Sequence, residues 1–452
     1  MKNLAVLIAL FGLLLSGCEK KTEPVATPAP PEPAATQASS EAVPVMSSAI
    51  EPVLVELPTE AISTWQRHAQ ARPELVLFSI HPFLDQIPET VKSEALAMVK
   101  RGDARELRAH GSFFREAPLL LPTQTLRAAL EAGFFSQVTW VFPSKVKIDE
   151  LSLETFSGQV VEAGFLTEEE GRQLVLAGGV FEGQVQGIPF RAVHPFALPD
   201  ITAPALIHVD LGYFKGMYQD EVKTPLYDLL HGLAISLRDM GWKVLDVTLS
   251  YSTIEGVVSL DTRFLLTNLA ELFRKPEMLQ SDMPELWRMR AEALYGADMF
   301  QPQKMKEMHQ KAAELAPGDA TAQYDLYKIQ FENREIDAAL ETLDRVVAMD
   351  SGYGAAYLDL SQVAMNDKNP TASLVLLEKA AMTFPDNPFI NLSRSDILLQ
   401  MDEKSDALEL LKPLKQLAWS AHYHADIPGL IETMEKAGMG KGPGPESKES
   451  SQ

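Results

Sequence analysis

The chain has 452 residues, 46% of them apolar, which exceeds what one hydrophobic core supports and predicts two or three domains. A formal charge of −22 excludes binding to the nucleic-acid backbone, which needs clustered Lys and Arg, and leaves no basic patch for anionic lipid headgroups. The single cysteine allows no internal disulfide, so the domains stand on packing alone.

Lys2 opens the chain, and residues 4–15 are apolar apart from Gly12. That run has the length of a signal-peptide core and is short for a membrane-spanning helix. It ends in Leu15-Ser16-Gly17-Cys18. The arrangement resembles the lipobox of bacterial lipoproteins, in which small residues precede a Cys that is lipidated and becomes the first residue of the mature chain. The resemblance implies a signal peptide over 1–17, acylation of Cys18 and a membrane anchor. Each buried methylene adds about 0.8 kcal/mol and one chain anchors only marginally, so the several chains typical of that family matter. Glu19 after the Cys resembles the outer-membrane sorting pattern and implies a periplasm-facing outer-membrane location. From residue 18 to 58 the composition turns to Pro, Ala, Thr, Ser and Glu, with Pro24, Pro28, Pro30, Pro31 and Pro33 crowded together. Such a stretch cannot bury a core and predicts a disordered tether.

Residues 59–282 alternate extended and helical signals. Leu75–Phe78, Val138–Phe142, Ala205–Val209 and Val244–Leu249 are apolar runs rich in β-branched and aromatic residues, predicting buried strands. Residues 123–132, 152–163, 225–240 and 260–274 predict helices, the third carrying Leu226, Leu229, Leu230, Leu233 and Leu237 on one face. Residues 183–192, with Gly183 and Gly187, predict an added hairpin. Alternating strands and helices predict an α/β three-layer domain with a mainly parallel sheet.

From Met283 the pattern is continuously helical with a period of 34. Ala312, Val346, Ala380 and Leu414 share that spacing, as do Leu326 with Leu360 and Leu343, Leu377 with Leu411, while Pro317, Ser351 and Pro385 punctuate it. This pattern resembles the tetratricopeptide repeat, a stacked helix-turn-helix array. The resemblance implies repeats over 283–437 whose concave surface binds other proteins. Departures are Tyr327 and Ser361 where that family usually has glycine, and Arg394 where Leu is expected. Eleven of the 17 methionines lie from Met283 onward and are expected as core filler. Residues 438–452 predict a disordered tail.

The candidate chemistry lies at a predicted strand end, Ile207-His208-Val209-Asp210-Leu211-Gly212, where open α/β sheets build their sites. The stretch resembles the strand-end Asp-x-Asp motif of arginase- and deacetylase-like hydrolases, in which paired carboxylates hold a divalent metal that activates water. The resemblance implies a metal site from His208 and Asp210, completed by His81, Asp85 or His194. Gly212 occupies the second carboxylate position, so the motif is degenerate. Ser144-x-x-Lys147 has the spacing of a penicillin-binding-protein nucleophile but lacks its companion motifs. Two functions are therefore expected: a lipid-anchored envelope scaffold that binds proteins through its repeats, without a cofactor, or a metal-dependent hydrolase of C–N bonds whose repeats recruit substrate or partner.

Overall fold

The computed structural model describes residues 41–440. Cys18, the residues expected to form a signal peptide, the expected tether up to residue 40 and the expected tail from 441 lie outside the described residues.

The first part is built from β1 (Val43–Pro44), β2 (Val53–Val55), α1 (Pro58–His68), β3 (Glu74–Phe78), α2 (Glu89–Arg101), α3 (Ala104–His110), α4 (Thr125–Glu131), β4 (Gln137–Val141), α5 (Leu153–Glu162), α6 (Glu168–Arg172), β5 (Val175–Ala177), β6 (Val180–Val185), β7 (Ile188–Val193), β8 (Ala205–Asp210), α7 (Gly212–Met217), α8 (Leu226–Met240), β9 (Lys243–Ser250) and α9 (Phe264–Arg274). Sheet order is β1-β9-β8-β3-β4-β7-β6-β5, with β2 also on β9. Strands β2, β9, β8, β3, β4 and β7 are joined by parallel pairings. The β1–β9, β5–β6 and β6–β7 pairs are antiparallel. The expected hairpin is thus β6–β7, but β7 joins β4 and the hairpin belongs to the main sheet. Its turn, Gln186-Gly187, has φ of 53° and 74°, the left-handed pair that matches strand twist in two-residue hairpins.

Strand side chains alternate between two cores. Val76, Phe78, Ile207, Val209, Val247 and Leu249 pack with α8 and α9 on one face. Leu75, Leu77 and Leu206 pack with Trp65 of α1, Met98 of α2 and Ala128 of α4 on the other. Period-two alternation in fully buried strands places every second residue under a different helical layer.

The tether assigned to residues 18–58 ends earlier than its composition suggests. Val45 and Met46 are buried in the first core, the Val45 amide donates to the Trp242 carbonyl (2.9 Å) and the Ile50 amide to that of Phe273 (2.8 Å). Two- and three-residue strands are too short to show a hydrophobic period, so the prolines around them dominated the pattern.

The second part is a run of paired helices: α10 (Glu285–Asp298) with α11 (Pro302–Leu315), α12 (Ala320–Glu332) with α13 (Ile336–Met349), α14 (Ala355–Asn366) with α15 (Pro370–Thr383), and α16 (Pro388–Gln400) with α17 (Lys404–Lys415), closed by α18 (Ile427–Gly438). The second helices begin at Pro302, Ile336, Pro370 and Lys404, a constant interval of 34 residues. Each is preceded by a left-handed residue at the same interval: Phe300, Arg334, Lys368 and Asp402. Ala312, Val346, Ala380 and Leu414 are buried, as are Leu343, Leu377 and Leu411. The methionines depart from the core-filler expectation: of the eleven, only Met434 is buried. Alanine and tyrosine fill the space between helices instead, with Tyr324, Tyr327, Tyr353 and Tyr357 in one cluster.

The array is docked on the α/β region along its length. Trp287 of α10 stacks on Tyr227 of α8 (5.7 Å between centroids). In the middle, the buried Arg263 guanidinium donates to Glu56 (2.8 and 2.7 Å) and to Asp350 (3.0 and 2.9 Å) and lies over the Tyr251 ring. Burial alone would depress Arg263; the Glu56 and Asp350 carboxylates more than offset it. Gly352 leaves the necessary space, since a Cβ there would lie 2.4 Å from Arg263 Nη2. At the far end, Phe389 stacks against Phe113 and the Ser420 amide donates to the Glu116 carbonyl (2.8 Å).

Candidate functional site

His208 and Asp210 follow Leu206 at alternate positions of β8, so all three face α1, and their register partners on β9 are Thr248 and Ser250. These side chains form a sealed relay. Trp65 Nε1 donates to Thr248 Oγ1 (3.3 Å), which is 2.7 Å from His208 Nδ1. His208 Nε2 lies 3.0 Å from Ser250 Oγ, which donates to Asp210 Oδ2 (2.6 Å). Ser252 donates to the same oxygen, and the Gly212 amide to Oδ1 (2.8 Å). Because Ser250 gives its proton to Asp210, it accepts from His208; Nε2 therefore carries the imidazole proton and Nδ1 accepts from Thr248. Complete burial pushes His208 down to about 3 and keeps it neutral. Burial raises Asp210, against the hydrogen bonds from Ser250, Ser252 and Gly212.

The other sequence-predicted residues stand nearby with partners of their own. His81 Nδ1 accepts from the Phe83 amide (2.8 Å), its Nε2 lies 3.3 Å from Asp85 Oδ1, and its ring packs on Phe165. His194 accepts from the Phe196 amide and lies 3.0 Å from the Val146 carbonyl, and burial lowers its pKa. A divalent ion would need several convergent, unengaged ligands. Gly212 supplies none and has no room for one: a Cβ there would lie 2.8 Å from Asp210 Oδ1 and 3.0 Å from Ile80 Cγ2. Both Asp210 oxygens and both His208 nitrogens are engaged. Among the described residues, no three His, Cys, Asp or Glu side chains converge as a metal site. The residues present do not fit the implied ion.

Comparison with family models finds no match for the chain, and comparison with curated proteins finds none.

A cleft of about 700 Å³ lies between the two parts of the molecule. One wall is the loop after β9, Thr253–Asp261, with Phe114 and Lys215; the other is α12 and α14, contributing Tyr324, Tyr327, Lys328, Phe331, Glu332, Leu358 and Asp359. Leu260 from the loop packs into the tyrosine cluster, and Asp261 pairs with Lys328 (2.9 Å). Glu255 accepts from Ser112 Oγ (2.6 Å) and the Phe113 amide (3.2 Å), which tie the loop to the α/β region, and burial raises its pKa. Val257 remains 50% exposed on the rim. A second pocket of about 490 Å³ opens at the carboxyl ends of β3 and β4, walled by Trp140, Phe142, Phe156 and Phe165.

The cleft was not anticipated residue by residue. Its signal was present as a departure: Tyr327 stands where the resembled repeat has glycine, and that side chain is the floor of the cleft.

Proposed function

We propose that the protein is a lipid-anchored envelope factor that binds a segment of another protein in the cleft between its helical array and its α/β region, and that it acts as a scaffold or assembly factor. The observation that carries this reading is the cleft: an open cavity of about 700 Å³ with an aromatic floor and polar walls drawn from both parts of the chain, the composition expected of a recognition site. The constant 34-residue interval of the second helices supports a tetratricopeptide-like reading of 283–437, and helices over both faces of a mainly parallel sheet support the three-layer reading. Full engagement of His208 and Asp210 supports a non-catalytic reading of the arginase-like motif.

The test uses the full-length chain in its own membranes, with a photoreactive amino acid in place of Val257 or of Met382, which is 71% exposed and outside the cleft. Adducts to a discrete partner from position 257 and not from 382 are expected; equal labelling from both would sink the reading. Cys18→Ala is expected to release the protein from membranes, and retention would overturn the anchor. A stoichiometric divalent ion in the purified protein that is lost in Asp210→Ala would favour the hydrolase instead.

A further inference from the structure

We infer that the cleft recognises a basic side chain: a lysine or arginine of the partner segment, flanked by apolar residues, whose cation seats between Asp359 and the phenol oxygens of Tyr324 and Tyr327. This rests on the reading of the cleft as the protein-binding site and specifies what it binds.

Three observations point there. The first is the local charge. Of the two cationic side chains lining the cleft, Lys328 is paired with Asp261 and Lys215 donates to the Val257 carbonyl (3.0 Å). Glu332 lies 3.8 Å from Lys306, and Glu255 is satisfied by Ser112 and Phe113. Asp359 has no hydrogen bond or ion pair among the described residues. Its carboxyl is raised by burial and then by the Asp261 charge, so an arriving cation relieves a cost the protein already bears.

The second is the pair of phenols. Tyr324 and Tyr327 are 8% and 5% exposed and line the cleft, and neither hydroxyl has a hydrogen-bond partner among the described residues. Both hydroxyls open to solvent in the cleft, where they can accept a hydrogen bond from an occupant. Both line the same cleft as Asp261 and Asp359, and burial first, then those carboxylates, oppose their ionisation, so they stand there as neutral acceptors. The third is the apolar surround. Phe331, Leu358 and exposed Val257 offer surface for a methylene stem and its neighbours. One unpaired carboxylate with two neutral phenols is a poor ligand set for a metal ion and suits an organic cation instead. The chain's charge of −22 would steer such a partner in.

The test again uses full-length protein with the photoreactive residue at 257. Asp359→Asn should reduce adduct yield about tenfold, as expected for loss of a partly desolvated charge pair, with Asp359→Glu restoring most of it. Acetyl-Leu-Arg-Leu-amide at millimolar concentration should compete, and acetyl-Leu-Gln-Leu-amide should not. Asp359 makes no hydrogen bond or ion pair that holds the fold together, so neither substitution should lower the unfolding midpoint, which is measured alongside. Wild-type adducts that persist undiminished in Asp359→Asn, or that the glutamine peptide displaces equally, overturn the basic side chain and leave the protein-binding cleft standing. Absence of any wild-type adduct at 257 overturns the reading on which the inference rests.

Discussion

His208 illustrates how one residue's surroundings set its chemistry. Its ordinary pKa of 6.5 falls to about 3 in the fold, so the neutral ring is favoured by folding. That contribution is fully present above pH 6.5 and is lost as pH falls toward 3. Between pH 6.5 and 5 the loss should amount to about 2 kcal/mol at roughly 1.4 kcal/mol per pH unit. Glu60, raised to about 7 by burial and then by Glu56, acts with the opposite sign: its contribution is complete below 4.5 and is lost as pH rises through 7. The wild type must therefore be compared with His208→Gln at each pH; urea titrations should show that their difference shrinks on acidification. Asp210→Ala removes the acceptor for Ser250, Ser252 and the Gly212 amide, and should cost about 2–4 kcal/mol by leaving buried donors unmatched. A loss below 1 kcal/mol would mean that the relay contributes little to stability.

At the level of elements, long strands and amphipathic helices were legible. The predicted strands at 75–78, 138–142, 205–209 and 244–249 match β3, β4, β8 and β9 to within one residue at each end, and the helices at 152–163 and 225–240 match α5 and α8 equally well. Each is long enough to repeat its period. Elements β1, β2 and β5 are not, and no pattern announces them. The candidate site was legible only in part for a related reason. His208 and Asp210 could be found at a strand end, but Thr248 and Ser250, the hydroxyls that close off the cluster, belong to another strand and arrive through register. The repeat turns hold a further element-scale consequence. Lys368 adopts φ of 58°, a conformation that favours glycine, so Lys368→Gly should stabilise the array by about 0.5 kcal/mol and Lys368→Val should destabilise it by about 1 kcal/mol. Chemical denaturation of both variants checks the sign.

Across the whole molecule, the decisive contacts join segments far apart in sequence, which is why no local pattern revealed them. Arg263 gathers Glu56 and Asp350 with two tyrosine rings, so truncating Asp350 leaves the guanidinium paired with Glu56 but cuts its bonds to the helical array. Asp350→Ala should cost about 1–3 kcal/mol, as expected for losing hydrogen bonds to a charged group, and split a single calorimetric transition into two, the helical array melting first because Glu56 keeps Arg263 on the α/β side. Gly352→Ala, which crowds the same guanidinium, should act in the same direction. A single unshifted transition in both would mean that the clasp does not hold the halves together.

That the cleft takes one wall from each half has a consequence for the order of events in the protein's life. Neither half displays the cavity alone, so it comes into being only after both have folded and met. By reciprocity, whatever favours docking favours occupancy, and an occupant spanning both walls favours docking. On the proposed reading, a nascent or partly unfolded copy lacks this site, and occupancy of the cleft would report that both halves have folded and docked.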